Sequence, residues 1–201
     1  MKMIVACGGT SGHVNPAIAI AQEYRYRHPD SEILFIGTEN RIEADLVPRA
    51  GFKMKYIDIT GVYRAKSWSA FKHNIGTAGK YIKASAKVRK IIREFRPDIV
   101  LGTGGYVSAP VLKTAQNMGI KTVIHEQNAY PGLVTKLCSG KADRIFLSFP
   151  LAKPLKANPD KMIVVGNPVN KAFLSLEKSA ARAELGIPED KKLTTVINLK
   201  G

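Results

Sequence analysis

Ala6-Cys7-Gly8-Gly9-Thr10-Ser11-Gly12-His13-Val14 is the stretch from which the fold of this chain is read. A short apolar run, Met3-Ile4-Val5, leads into it. Pro16-Ala17-Ile18-Ala19-Ile20-Ala21 follows and is expected to be helical, with Pro near the first turn. The order is strand, glycine-rich turn, helix. Glycine lets a backbone come close to a ligand, and a helix N-terminus offers unpaired N–H groups and the positive end of its dipole. Three glycines, two hydroxyls and a histidine share the six positions 8–13, so the turn is read as a phosphate-binding loop rather than a plain connection. Its spacing is not G-x-G-x-x-G, which argues against an ordinary dinucleotide fingerprint.

Outward from this turn the same grammar repeats. Glu32–Gly37 reads as a second strand, Ile42–Ala50 as a short helix ended by Gly51, and Met54–Ile59 as a third strand. A long basic helix is expected over most of Phe71–Phe95, stopped by Pro97. Ile99–Gly102 is a buried strand feeding a second glycine turn, Thr103-Gly104-Gly105-Tyr106-Val107-Ser108, and a helix over Pro110–Met118. Lys121–His125 opens into Glu126-Gln127-Asn128. Pro131–Ser139 is helical, and Arg144–Leu147 and Met162–Val165 complete the strands. Short Ile- and Val-rich strands alternating with helices predict an α/β fold: a Rossmann-like parallel sheet with helices on both faces. In such sheets ligands lie beyond the carboxyl ends of the strands. The turns after Cys7, Gly102 and His125 all fall on that rim.

The chain of 201 residues carries a formal net charge of +15, which calls for an anionic partner. No acidic residue occurs between Asp58 and Glu94, a window rich in Lys and Arg. No apolar run approaches the roughly twenty residues that span a bilayer, and the chain enters a strand pattern at once, so neither a membrane span nor a signal peptide is expected. Cys7 and Cys138 have no metal-ligand spacing and indicate no disulfide framework, consistent with a cytosolic location. Residues 1–165 read as the first domain, 166–190 as a linker with a short helix, and 191–201, with Leu193–Asn198 as a strand, as the start of a second domain.

Five pieces, in order, form a specific set: Gly8-Gly9-Thr10-Ser11-Gly12-His13, Glu43-Ala44-Asp45-Leu46-Val47-Pro48, Gly104-Gly105-Tyr106-Val107-Ser108, His125-Glu126-Gln127-Asn128 and Gly166-Asn167-Pro168-Val169. Over about residues 3–170 the chain resembles the peptidoglycan glycosyltransferases that add N-acetylglucosamine to lipid I to make lipid II. The resemblance implies the N-terminal half of a GT-B enzyme, in which two Rossmann-like domains face a cleft and the first takes the lipid-linked acceptor. It implies inverting transfer from UDP-N-acetylglucosamine to the 4-hydroxyl of the muramyl sugar of an undecaprenyl-diphosphate-linked muramyl-pentapeptide. Such a step needs a base for the hydroxyl proton and stabilisation of the departing diphosphate. His13 and Glu126 are the rival bases. The resemblance places Gly9, Gly12, Gly104, Gly105 and Tyr106 around the acceptor diphosphate, and Thr10, Ser11, Gly12 and Asn128 against the donor. Asn170 stands where the family commonly has Arg, at a donor contact, and Ser11 replaces a frequent Gly. The family does not usually need a metal, and no cofactor is expected. The C-terminal donor domain would be missing, and the chain alone inactive.

In this light the basic helix gains a role. Lys72, Lys80, Lys83, Lys87 and Lys90 fall on one arc, beside one apolar stripe of Phe71, Ile75, Ala78 and Ile82 and another of Tyr81, Val88, Ile92 and Phe95. One stripe serves the core. The other, with Trp68, Lys72, Lys80, Lys83 and Lys87, is expected to touch the anionic inner leaflet, placing the protein peripherally at the cytoplasmic face of the cell membrane. Two further readings stand beside this one: the acceptor subunit of a split GT-B enzyme, and a non-catalytic basic nucleic-acid-binding protein. Against the last, aromatics do not interleave with the lysines as a stacking platform requires, and no nucleic-acid partner is expected.

Overall fold

The computed structural model describes residues 1–61, 68–170 and 177–192, with the backbone alone for 68–76 and 78. The chain divides into two compact units, Met1–Val169 and Asn170–Gly201. In the first, the elements run β1 (Lys2–Ala6), α1 (Ser11–Arg27), β2 (Glu32–Gly37), α2 (Glu43–Arg49), β3 (Lys53–Tyr56), α3 (Trp68–Phe95), β4 (Ile99–Gly102), α4 (Ser108–Asn117), β5 (Lys121–Glu126), α5 (Leu133–Cys138), β6 (Arg144–Leu147) and β7 (Met162–Val164). The second contains α6 (Lys178–Glu184), and the expected strand at Leu193–Asn198 lies outside the described residues.

All seven strands are parallel, in the order β3-β2-β1-β4-β5-β6-β7. Strand order reverses between β1 and β4, so the turns leaving these two strands lie side by side at the switch point of the sheet. The apolar strands alternate between two cores because successive side chains face opposite ways. Ile4 and Ala6 join Ile36, Val88, Ile92, Val111 and Leu112 on one face. Met3, Val5 and Cys7 join Val14, Ala17, Phe35, Val47 and Phe52 on the other. Burial on both faces accounts for the continuous apolar runs of β1, β2 and β4.

Three expectations change at element ends. α1 starts at Ser11, directly on the glycine turn, so Pro16 is an interior residue and not part of the first turn. Pro16 has no N–H, and the Gly12 carbonyl one turn earlier therefore lacks its helical partner. β3 ends at Tyr56, although Ile57 still donates to the Gly37 carbonyl and, with Ile59, is buried. α3 begins before Phe71 and runs through Gly76 and Gly79 unbroken. Its core-facing stripe is Ala84, Val88, Ile91 and Ile92, with Tyr81 and Phe95 packed beside it, whereas Ile82 is 70% exposed. Among the described residues no helix is long and apolar enough to cross a membrane.

Candidate functional site

The two glycine turns are locked backbone to backbone. Gly104 and Gly105 have φ of 114° and 76°, a region that L side chains rarely adopt. A Cβ on Gly105 would run into the carbonyl oxygen of Gly8, and one on Gly104 would lie 2.5 Å from Nδ1 of His13. These glycines are thus required by the packing of turn on turn, before any ligand is considered. Around them, the Thr103 N–H donates to the Ala6 carbonyl (3.1 Å) and the Thr103 hydroxyl donates to the His13 carbonyl (2.8 Å). The buried Ser108 hydroxyl lies 2.9 Å from the Ala6 oxygen and 2.6 Å from the Gly104 oxygen, its proton shared between them. Gly12 differs. A Cβ there would meet only the Thr10 hydroxyl, at 3.7 Å.

Glu43, at the start of α2, is fully buried beneath the first turn. Its carboxylate accepts from the Gly9 N–H (3.0 Å), the Thr38 N–H (3.1 Å) and the Thr38 hydroxyl (2.6 Å). Gly9 is therefore not a free donor for an anion: its N–H is spent on Glu43. A side chain at Gly8 would collide with the same carboxylate. Burial, reinforced by the nearby Glu43, pushes the Cys7 thiol far above its ordinary range, so it is neutral and inert.

The third turn is built on Glu126, also buried. One carboxylate oxygen accepts from the N–H (3.1 Å) and the side-chain amide (3.0 Å) of Asn128. The other accepts from the Gly132 N–H (2.9 Å) and the Thr135 hydroxyl (2.6 Å). Four donors fill the four acceptor positions of a carboxylate. Next to it, Gln127 lies between two histidines, 3.0 Å from Nδ1 of His13 and 2.9 Å from Nδ1 of His125. Burial lowers the pKa of His125 below the ordinary 6.5, partly offset by its contact with the Gly166 carbonyl and by Glu126.

His13, Tyr106, Gly104, Gly105, Glu126 and Asn128 come together with Thr60, Gly61, Gln127 and Leu133 around a cleft of about 480 Å³ on the carboxyl rim. The Tyr106 ring would be 3.7 Å from a Cβ on Gly9 and 3.5 Å from one on Gly61, so it spans the first turn and the segment after β3. Thr10, Ser11 and Gly12 are exposed at the start of α1, beside the cleft and not among its lining residues. Thr10 occupies the N-cap position without a side-chain cap. Asn170 belongs to the second unit. On α3, Lys83 and Lys87 are exposed, while Lys80 is paired with Asp58 at 2.9 Å; the side chains of Trp68 and Lys72 lie outside the described residues. Among the described residues no group of three or more His, Cys, Asp or Glu side chains could hold a metal ion. Glu43 and Gln127 carry structural weight that their residue types alone did not announce; both stood inside motifs quoted for other reasons.

A parallel sheet with this strand order, and two glycine turns joined at its switch point, define a Rossmann-like α/β domain with its cleft at the carboxyl ends of the strands. The profile of the glycosyltransferase family 28 N-terminal domain matches residues 3–147, and the chain belongs to that family. It is 43% identical over 201 residues to the UDP-N-acetylglucosamine--N-acetylmuramyl-(pentapeptide) pyrophosphoryl-undecaprenol N-acetylglucosamine transferase of Alkaliphilus oremlandii, covering 100% of this chain and 54% of that protein. The enzyme of the same name from Clostridioides difficile is 42% identical over 195 residues, 96% of this chain and 47% of the relative. The crystal structure of Acinetobacter baumannii MurG superposes with a TM-score of 0.67 at 26% identity, over 83% of this chain and 46% of that one. The chain thus spans about half the length of the curated relatives it matches.

Two stability predictions follow from the site. Gly105→Ala should cost about 3 kcal/mol in urea unfolding, from backbone strain and the clash with Gly8, whereas Gly12→Ala should be neutral or slightly stabilising. The second concerns pH. Because the folded state holds His125 below 6.5, the unfolded chain takes up a proton there first as pH falls. Its contribution is complete above about pH 6.5 and shrinks below it. Unfolding midpoints compared at about pH 7.5 and about pH 5.5 should therefore fall less for His125→Gln than for the unaltered protein.

Proposed function

We propose that this chain forms the acceptor-binding half of a glycosyltransferase moving N-acetylglucosamine from UDP-N-acetylglucosamine to the 4-hydroxyl of a muramyl-pentapeptide sugar on undecaprenyl diphosphate. The observation that carries this reading is the cleft at the switch point, where His13 and Tyr106 sit between two interlocked glycine turns, in a chain 43% identical to enzymes of that name. The acceptor 4-hydroxyl attacks the anomeric carbon, its proton passes to a base, and the bond to UDP breaks with inversion. His13 suits the base better than Glu126, whose carboxylate is already filled by four donors in a buried turn. For the acceptor diphosphate, the N–H groups of Ser11 and Gly12 at the start of α1 and those of the turn at Gly104–Tyr106 are the donors of this reading. Gly9 contributes shape, not a donor. On the first unit, Thr10, Ser11 and Asn128 are the residues this reading sets against the donor nucleotide. No metal or cofactor enters the reading; UDP-N-acetylglucosamine is a substrate.

The reading also places α3 at the cytoplasmic membrane surface. Lys83 and Lys87 are exposed, and the solvent-facing Ile82 adds an apolar contact. Lys80 is a weaker candidate because Asp58 offsets its charge.

Calorimetry with a soluble lipid I analogue tests the acceptor site on the chain itself. Gly12→Ala should weaken binding by about tenfold or more, since this reading puts the diphosphate against the backbone at the start of α1, where the added Cβ meets no protein atom closer than 3.7 Å. His13→Ala should change affinity by less than about threefold, because a base acts chiefly in the transition state. Equal affinity for Gly12→Ala and the unaltered chain would reject the diphosphate site. Vesicle flotation tests the surface: binding to anionic vesicles should weaken with salt, and Lys83→Glu with Lys87→Glu should reduce it about tenfold or more.

A further inference from the structure

We infer that Gln127 is a positioning residue that sets the tautomer of His13, through a hydrogen-bonded chain running from the Gly166 carbonyl by way of His125. The polarity of the chain follows from two backbone oxygens that can only accept. The Gln127 side-chain nitrogen lies 3.0 Å from the carbonyl of His125, which requires a donor there. The amide is thereby oriented, and its oxygen is the atom 3.0 Å from Nδ1 of His13. That oxygen accepts, so Nδ1 of His13 carries the proton. In the neutral ring Nε2 is then left with the lone pair.

The other half of the chain closes consistently. The Gln127 nitrogen has a second proton for Nδ1 of His125 at 2.9 Å, so that Nδ1 is unprotonated. Nε2 of His125 then bears its proton and donates to the Gly166 carbonyl at 3.3 Å. Every polar atom in the sequence Gly166, His125, Gln127, His13 has one role that satisfies its neighbour. An imidazolium at His125 would turn a second N–H on the Gln127 amide and break the sequence. Burial works against that charge and holds His125 neutral.

His125 and Gln127 belong to β5 and the turn after it, His13 to α1, and Gly166 to the segment leaving β7, where φ is 81°. The chain therefore ties the orientation of the His13 ring to the place where the polypeptide leaves the sheet. For the reaction proposed above, a fixed Nε2 lone pair is what a base requires, and to that extent the catalytic meaning rests on that reading. The tautomer itself does not.

Histidine-¹⁵N-labelled chain of the full 201 residues, studied by long-range nitrogen–proton NMR at neutral pH, tests it without substrate. His13 should show a pyrrole-like Nδ1 and a pyridine-like Nε2, the reverse of the form favoured by histidine free in water. His125 should show the opposite pattern. Gln127→Leu should shift His13 towards the Nε2–H form. Gln127→Glu keeps an acceptor for His13 but cannot donate to His125, so it should keep the proton on Nδ1 of His13 and alter the pattern of His125. A pyrrole-like Nε2 on His13 in the unaltered protein, or an unchanged His13 pattern in a folded Gln127→Leu, would overturn the inference. Should Gln127→Leu fail to fold, the unaltered protein and Gln127→Glu still decide it. A lost acceptor affinity in calorimetry with these patterns intact would sink the proposed function and leave the positioning role standing.

Discussion

The close approach of Gly105 to the Gly8 carbonyl is the constraint from which the rest of the carboxyl rim follows. Strands β1 and β4 are neighbours, so the chain segments leaving them must share a space too narrow for two side chains. Glycine on both turns resolves the crowding. It also brings the Gly104 backbone against the imidazole of His13, placing the ring at the mouth of the cleft. The hydroxyls of Thr103 and Ser108 then add hydrogen bonds to carbonyls of β1, the second turn and α1 and tie the three together.

Two buried carboxylates do for irregular backbone what strand pairing does for the sheet. Glu43 collects the N–H groups of Gly9 and Thr38, and Glu126 those of Asn128 and Gly132. Each would be costly to bury alone, and each is tolerated because it is hydrogen-bonded, Glu43 by three donors and Glu126 by four. The arrangement separates labour among residues that look alike in chemistry. Carboxylates hold the turns, while His13 stands on the cleft.

The excess of positive charge has a comparable division. On α3 the face towards the sheet is apolar, with Val88 and Ile92 buried, and Lys83 and Lys87 stand on the side facing solvent. Lys80 is held by Asp58 and Lys90 lies 3.8 Å from Glu94, so the outward charge of the helix is smaller than its composition. Exposed pairs of this kind contribute little to stability, and their consequence is for the local field.

The class of fold was legible in the sequence because apolar strands buried on both faces and glycine turns leave strong local signals. Met3–Val5, Ile99–Gly102 and Lys121–His125 announced themselves as strands of a parallel sheet, and the three turns that follow them do share one rim. Helix ends were less legible: Pro16 suggested a first turn, but the glycine turn passes directly into α1 at Ser11. The stripe of α3 that faces the core could not be chosen from periodicity, since two were available and only contact with β1, β2 and β4 selects Val88 and Ile92 over Ile82. The roles of Gly105, Glu43 and Gln127 were out of reach for the same reason. The contacts Gly9–Glu43 and His13–Gln127 join residues 34 and 114 apart in the chain, brought together only when β2, β1, β4 and β5 line up side by side. By itself the sequence determined which residue types the rim would hold. Which glycine is fixed by packing and which faces open space, and which amide side chain meets the histidine, was decided by distance in the folded molecule.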